Sequence, residues 1–262
     1  MDIGIRDRVA LVCGASRGFG RAIATSLARE GAKLVICART PGPLNDTAEA
    51  LRSLGAEVLA VPADLGRAED LQQLVDAVRE AHDRLEILIT NTAHPKMGNF
   101  EALDEADWRA GFEELFLPTL RLLELSLPIM RAQGWGRVVN ISTSAVRIPS
   151  STYLLSGVFR TALASLSKSL ANEYGPHGVL INTVCPGLYR TPLGESLLAS
   201  AAERRGVTLA EAEADYAKDT ALRRIGEPEQ LGDFVASLCG RPGAHITGQL
   251  LTVDGGKTPS LF

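Results

Sequence analysis

The chain has 262 residues, of which 45% are hydrophobic, and its formal net charge is -4 at pH 7. This length suffices for one large α/β domain with a full core, and the slightly acidic balance excludes a broadly basic nucleic-acid surface. No apolar run is long enough to span a membrane, and charged residues precede the first apolar run, so we predict neither a membrane span nor a signal peptide.

The cysteines are scattered singly along the chain, at Cys13, Cys37, Cys185 and Cys239. Their spacing fits neither a disulfide framework nor a zinc site. We therefore expect buried free thiols, a reducing cytoplasmic location and no metal site.

The first apolar run, Val9–Cys13, leads into a loop with the glycine spacing GxxxGxG, followed by a helical pattern that continues to Gly31. Glycines allow a tight turn, a close approach of backbone amides to a pyrophosphate, and close packing of strand and helix. The helix then directs its unpaired amides and positive dipole end at the phosphates. The alternative is a chance cluster of glycines in an ordinary turn. We predict a dinucleotide site at Gly14, Ser16, Arg17, Gly18, Phe19 and Gly20.

Apolar runs typical of buried strands alternate with helical periodicity along the whole chain. Strands are predicted at 9–13, 33–38, 57–61, 85–90, 137–141, 179–184 and 250–253. Helices are predicted at 43–54, 68–82, 104–132, 152–174, 193–219 and 227–238, besides the first one. Such alternation predicts a single α/β domain over residues 1–262, a doubly wound parallel (Rossmann) sheet of about seven strands with helices on both faces.

Parallel sheets of this kind bind ligands beyond the carboxyl ends of their strands. Arg39 follows the second predicted strand, at a position where an NAD site places an acid. With Arg17 it would hold a 2′-phosphate, which favours NADP(H); alternatively both are solvated surface arginines. Asp64 and Leu65 would bracket an adenine, although Asp64 is also a candidate helix N-cap. After the fourth strand, Asn91, Thr92 and Ala93 let the backbone pass close to a ribose.

Taken together, six short motifs resemble the short-chain dehydrogenase/reductase family, in particular its 3-oxoacyl reductase type. They are CGASRGFG at 13–20, ADL at 63–65, TNTA at 90–93, NIST at 140–143, PGLYRT at 186–191 and VDGG at 253–256. The resemblance implies a small-molecule substrate, self-association as a dimer or tetramer, and a nicotinamide cofactor. It places Gly14, Arg17, Gly18, Asp64, Asn91, Pro186, Gly187 and Thr191 along that cofactor.

The family's catalytic set is Asn, Ser, Tyr and Lys, and each of the four positions is substituted in this chain. Counting from Asn140 and back from Ser167 puts Thr143 at the serine, Ser156 at the tyrosine and Arg160 at the lysine. Leu115 stands where the asparagine is expected. An aliphatic alcohol is a far weaker acid than a phenol, and a guanidinium does not give up its proton.

Other groups near the predicted cleft are candidates to replace the missing acid. Tyr153 lies one helical turn before Ser156, either as the proton donor or as an aromatic packed on a neighbouring loop. His94 and Tyr189 also follow strands, and Lys96 and Arg147 either meet an anionic substrate or are merely solvated. We predict a catalytic set of Thr143, Tyr153, Ser156 and Arg160, with Arg160 also pairing with the ribose of the cofactor.

Residues 188–226 resemble the family's substrate lid, with alternating charges on one face and leucines on the other. The leading hypothesis is an NADP(H)-dependent oxidoreductase of a small or medium carbonyl or alcohol. One alternative is a non-redox enzyme, such as a cyclase, dehydratase or isomerase, that reuses the cofactor pocket. A third is a cofactor-binding sensor without catalysis.

Overall fold

The computed structural model describes residues 2–260 and contains one parallel sheet of seven strands. The strands are β1 (Val9–Cys13), β2 (Lys33–Ala38), β3 (Val58–Pro62), β4 (Ile87–Thr90), β5 (Gly136–Ile141), β6 (Val179–Pro186) and β7 (Leu250–Val253). Their spatial order is β3-β2-β1-β4-β5-β6-β7, and every neighbouring pair is parallel. The order reverses between β1 and β4, which is where doubly wound sheets bind nucleotides.

Helices cover both faces of the sheet. They are α1 (Gly18–Arg29), α2 (Pro41–Ser53), α3 (Ala68–His82), α4 (Glu105–Gly111), α5 (Leu117–Gln133), α6 (Leu154–Tyr174), α7 (Pro192–Arg205), α8 (Leu209–Lys218) and α9 (Pro228–Cys239). Side chains of α1, α2 and α9 pack on one face, and those of α3, α5 and α6 pack on the other. The predicted doubly wound sheet with two helical layers is therefore confirmed.

Alternate residues of the central strand supply the two cores. Ala10 and Val12 face the α1 side, whereas Val9 and Leu11 face the α3 side, and all four are almost fully buried. A strand buried on both faces needs no polar alternation, which explains the continuous apolar runs of the sequence. None of the helices within residues 2–260 combines the length and the apolar character needed to cross a bilayer.

Two of the predicted helices are interrupted. The helix predicted at 104–132 contains a wide π-helical turn at Phe112–Phe116 between α4 and α5. The helix predicted at 193–219 is two helices, because Gly206 adopts a left-handed φ of 64° and ends α7. Thr208 then caps α8 through a reciprocal box with Glu211. The sequence period alone hides both breaks, since apolar residues continue across them.

A buried polar chain holds α6 against the middle of the sheet. Thr90 donates to the side-chain oxygen of Asn140 at 2.6 Å, and the Asn140 amide donates to Ser167 at 2.8 Å. The Ser167 hydroxyl donates in turn to the carbonyl of Leu163. All three side chains are buried and paired, so the chain stabilises one fixed distance between α6 and strands β4 and β5.

Candidate active site

A cleft of about 750 Å³ opens at the carboxyl ends of β1, β2 and β4. It contains most of the predicted cofactor residues: Gly14, Ser16, Arg17, Gly18, Phe19, Arg39, Asp64, Leu65, Asn91, Thr92, Ala93 and Thr191. Of the other predicted cofactor residues, Gly20 lies beneath the loop, Pro186 and Gly187 lie at the end of β6, and Arg160 lies behind the cleft wall.

The glycine loop fits a dinucleotide because side chains are sterically excluded there. A Cβ on Gly20 would lie 2.2 Å from the carbonyl oxygen of Gly14, and a Cβ on Gly14 would lie 2.7 Å from the side-chain nitrogen of Asn91. Gly14 and Gly18 also have positive φ angles of 62° and 56°, which L side chains rarely adopt. The first turn of α1 therefore presents its free amides to the cleft, as phosphate binding requires.

Two cations stand at the β2 end of the cleft. Arg17 and Arg39 both line it and are exposed, and neither side chain forms a hydrogen bond or ion pair with any residue in 2–260. Asp64 also lines the cleft, with its carboxylate accepting from the Gly66 amide at 3.0 Å. The alternative role of Asp64 as a helix cap is wrong, because α3 begins only at Ala68, with Arg67 at the cap position.

Glu113 and Glu114 also line the cleft, and the sequence analysis did not identify them. Both belong to the wide turn between α4 and α5. A π-helical turn shifts the helical register by about one residue, so side chains after it point in directions that the 3.6-residue period does not predict. The apolar residues continue across this turn, so the sequence carries no signal that would have placed Glu113 and Glu114 in the cleft.

The four residues predicted to stand at the family's catalytic positions differ in burial and in their partners. Leu115 is fully buried, and Ser156 is 3% exposed, with a hydroxyl that makes no hydrogen bond to another residue among 2–260. Thr143 is partly exposed and accepts a hydrogen bond from the Ala145 amide at 3.3 Å. Thr143 and Ser156 keep hydroxyls, but neither lies on the cleft lining.

The guanidinium of Arg160 is engaged by the protein backbone. It donates to the carbonyl oxygen of Ile141 at 2.6 Å and to that of Ala93 at 3.3 Å, which ties the end of β5 to the loop after β4. Burial lowers the pKa of Arg160 to about 10, so the side chain stays protonated at neutral pH. The structure thus gives Arg160 a bracing role on the loop that lines the cleft.

Tyr153 and His94 lie together at the mouth of the site. Their ring centroids are 6.0 Å apart with an edge-to-face angle of 79°. A backbone hydrogen bond from Gly98 to Thr152, at 3.0 Å, joins their two segments. Tyr153 immediately precedes α6 and is not part of the helix, contrary to the predicted start at 152.

His94 lines the cleft, whereas Tyr153 lines a second cavity of about 290 Å³ beneath the lid. This lid cavity is walled by Leu188, Leu197, Leu198, Ala201 and Ala212, with Tyr216 across from Tyr153 and Arg204, Arg205, Asp215 and Asp219 at its rim. Arg205 and Lys218 both bind Asp215 and hold the pKa of that carboxyl down at about 2. The lid cavity is therefore apolar inside and charged outside.

Three other sequence candidates have structural partners. The hydroxyl of Tyr189 donates to the Val253 carbonyl at 3.0 Å, and burial raises the pKa of Tyr189 to about 12. Lys96 forms an ion pair with Asp107 at 2.7 Å, and Arg147 donates to the Leu250 carbonyl at 2.8 Å. Each of the three is engaged by a neighbouring residue.

Comparisons with known proteins agree with this geometry. A family model described as enoyl-(acyl carrier protein) reductase matches residues 14–258. Human dehydrogenase/reductase SDR family member 4 is 31% identical over 257 residues, covering 98% of this chain and 89% of that protein. The uncharacterized oxidoreductase YvaG of Bacillus subtilis is 31% identical over the full length of both chains.

Among solved structures, L-sorbose reductase of Gluconobacter frateurii, complexed with NADPH and L-sorbose, superposes with a TM-score of 0.94. It is 29% identical, and all of each chain is covered. Fold, cleft and relatives together define a Rossmann-fold oxidoreductase that uses a nicotinamide cofactor. The chain belongs to the short-chain dehydrogenase/reductase family.

The bracing role of Arg160 predicts a loss of stability in the protein without nucleotide. In Arg160→Met, the two carbonyls lose their charged donor, which we expect to lower the free energy of unfolding by roughly 1–3 kcal/mol. Urea denaturation measures this change. The control is Lys168→Met, the same kind of change at an exposed position of α6, with an expected effect within about 0.5 kcal/mol. Equal stability of the two variants would contradict the bracing role.

Proposed function

We propose that this protein is a cytoplasmic NADP(H)-dependent oxidoreductase that interconverts a small or medium carbonyl compound and its alcohol. One observation carries the proposal: a glycine-walled cleft ends at Arg17 and Arg39, two cations without a protein partner within residues 2–260. The solved structures of L-sorbose reductase and actinorhodin polyketide ketoreductase, 29% and 28% identical to this chain, contain NADPH. These relatives support the choice of NADP(H) over NAD(H).

We assign a different set of cleft residues to each part of the cofactor. The amides at the start of α1 face the pyrophosphate, and Arg17 and Arg39 hold the 2′-phosphate. Asp64 and Leu65 would contact the adenine, and Asn91, Thr92 and Ala93 would contact the ribose. Thr191, Pro186 and Gly187 would lie toward the nicotinamide. When bound, the nicotinamide supplies or accepts the hydride, and the protein supplies position and a route for the proton.

Tyr153 is the proton donor that the arrangement favours. Arg160 is engaged by two carbonyls and Ser156 is buried, which disfavours a water held between those two side chains. The Tyr153 phenol lines the lid cavity beside His94 of the cleft, where a substrate would lie between lid and cofactor. Thr143 orients the substrate oxygen through its hydroxyl.

The lid, residues 188–226, sets the size of the substrate. The lid cavity has a volume of about 290 Å³ and combines aliphatic, aromatic and charged side chains, which suits a small or medium organic molecule with a polar group. We further propose that the protein forms a dimer or tetramer, because Phe112 and Val158 leave 39% and 48% of their surface exposed on neighbouring helices.

A non-redox reaction is the second candidate. The engagement of Arg160 with backbone carbonyls favours it, because a guanidinium held by Ile141 and Ala93 does not relay a proton to or from Ser156. A cyclase, dehydratase or isomerase would convert its substrate without any change in the nicotinamide. Product formation at constant absorbance of the bound nucleotide at 340 nm distinguishes it from a reductase.

The cofactor preference rests on Arg39. In Arg39→Ala, the loss of charge-assisted hydrogen bonds to the 2′-phosphate is expected to weaken NADPH binding about 10- to 100-fold and to leave NADH binding unchanged. Fluorescence titration with each nucleotide measures both affinities. Arg29→Ala is the control, because Arg29 lies in the last turn of α1, away from the cleft. Equal loss for NADPH and NADH would contradict the assignment.

The proton route rests on Tyr153. Tyr153→Phe removes only the hydroxyl, and we expect kcat for carbonyl reduction to fall about 100-fold or more, as for other general acids. Ser156→Ala is the matched control and is expected to keep kcat within about threefold, because a buried aliphatic alcohol is a poor acid. NADPH oxidation with a panel of ketones and aldehydes measures both variants. The opposite ranking would overturn the route, and inactivity of the unmodified protein across the panel would overturn the redox proposal.

A further inference from the structure

Resting on the proposed function, we infer that His94 is the proton relay of Tyr153, a positioning and proton-exchange residue that takes the place of the family's lysine. The geometry that carries this inference is the edge-to-face contact of the two rings at 6.0 Å, at the point where the cofactor cleft meets the lid cavity.

The carbonyl of Pro95 fixes the tautomer of His94. Its Nδ1 lies 2.9 Å from the carbonyl oxygen of Pro95. Because a carbonyl only accepts, Nδ1 carries the hydrogen and donates it. In the neutral imidazole, Nε2 is then a bare acceptor, and it has no hydrogen-bond partner among residues 2–260. His94 is therefore held in the form that can take up a proton.

Burial and the surrounding charges shift the pKa of the His94 imidazole. Burial lowers the pKa of His94 from 6.5, and the guanidinium of Arg160 on α6 lowers it further, although the Pro95 hydrogen bond opposes them. The imidazole is consequently neutral at pH 7. The other titratable groups around it are Tyr153 before α6, Tyr216 on α8, Lys96 paired with Asp107 of α4, and Glu113 and Glu114 across the cleft.

The chemistry of the two rings favours the imidazole as the group that exchanges protons at neutral pH. A phenol without a neighbouring cation titrates near 10 and exchanges its proton poorly at neutral pH, whereas an imidazole titrates in that range. Arg160 gives Tyr153 no such help, because its guanidinium donates to the carbonyls of Ile141 and Ala93. His94 is the nearby titratable side chain whose ordinary pKa falls close to neutrality.

In alcohol oxidation the relay balances as follows. The substrate O–H bond breaks and its proton forms a bond to Tyr153 Oη, while the proton of Oη passes to a bridging water, which gives one of its protons to His94 Nε2. The water is needed because no direct hydrogen bond joins the two side chains among residues 2–260. The electron pair left on the substrate oxygen would form the carbonyl, and the hydride leaving carbon would go to an oxidised nicotinamide bound in the cleft. The imidazolium then releases its proton to water, a loss that Arg160 favours by repulsion. In reduction the protons move in the opposite sense.

The experiment compares His94→Gln and His94→Asn with the unmodified protein. Asn keeps a donor near the Nδ1 position and can hold the loop on Pro95, but neither amide titrates. We expect both variants to lose about 100-fold in kcat for alcohol oxidation with KM unchanged. The unmodified enzyme is expected to lose rate as pH falls through the lowered pKa of His94, below 6.5, and both variants are expected to lack this acid limb.

His245→Gln is the control, since His245 is exposed and precedes the edge strand β7, whereas His94 follows the middle strand β4. A second readout uses the protein without nucleotide: imidazole nitrogen NMR, assigned by the signal missing from His94→Asn, is expected to show Nδ1–H and a bare Nε2 at neutral pH. Three results would each overturn the relay. They are a normal kcat in His94→Asn, a kcat and pH profile of the His94 variants equal to those of His245→Gln, and an Nε2–H tautomer in the NMR spectrum. Those results leave the redox proposal standing if the unmodified enzyme oxidises NADPH with a carbonyl substrate, and inactivity there overturns both.

Discussion

The main structural constraint at this site is the pair of hydrogen bonds that the Arg160 guanidinium donates to the carbonyls of Ile141 and Ala93. A buried cation must have its donors satisfied, and here the backbone satisfies two of them. The loop after β4 is consequently fixed against β5, and that loop forms one wall of the cofactor cleft.

The separation of cofactor binding from proton transfer follows from this constraint. The glycine loop, the first turn of α1 and the cleft behind them depend on backbone geometry, which the substitutions on α6 do not disturb. Proton transfer depends on side chains, and the two that we propose for it, Tyr153 and His94, lie toward the lid. Under the proposed function, the nucleotide binds in the glycine-walled cleft and proton transfer takes place toward the lid.

Much of the fold could be predicted from the sequence because parallel strands buried on both faces are uniformly apolar. The bounds of β1, β2 and β7 agree with the predicted ones, and the remaining strands differ by one or two residues at an end. The breaks at 112–116 and at Gly206 were missed, since a wide turn and a left-handed glycine leave the apolar period almost unchanged. For the same reason Glu113 and Glu114 were not expected in the cleft.

The parts of the candidate site that depend on backbone conformation could be predicted from the sequence. The parts that depend on which partner a side chain binds could be predicted less well. Gly14, Gly18 and Gly20 follow from spacing, but nothing in the sequence indicates that Arg160 binds carbonyls or that Tyr189 donates to Val253. The central claim is that the proton route has moved to the lid side of the cleft. A crystal structure with oxidised NADP and an alcohol tests it most directly. The account predicts the substrate oxygen within hydrogen-bond distance of the Tyr153 hydroxyl; a substrate oxygen bound by Ser156 with Tyr153 remote, or an empty cleft at saturating NADP, would contradict it.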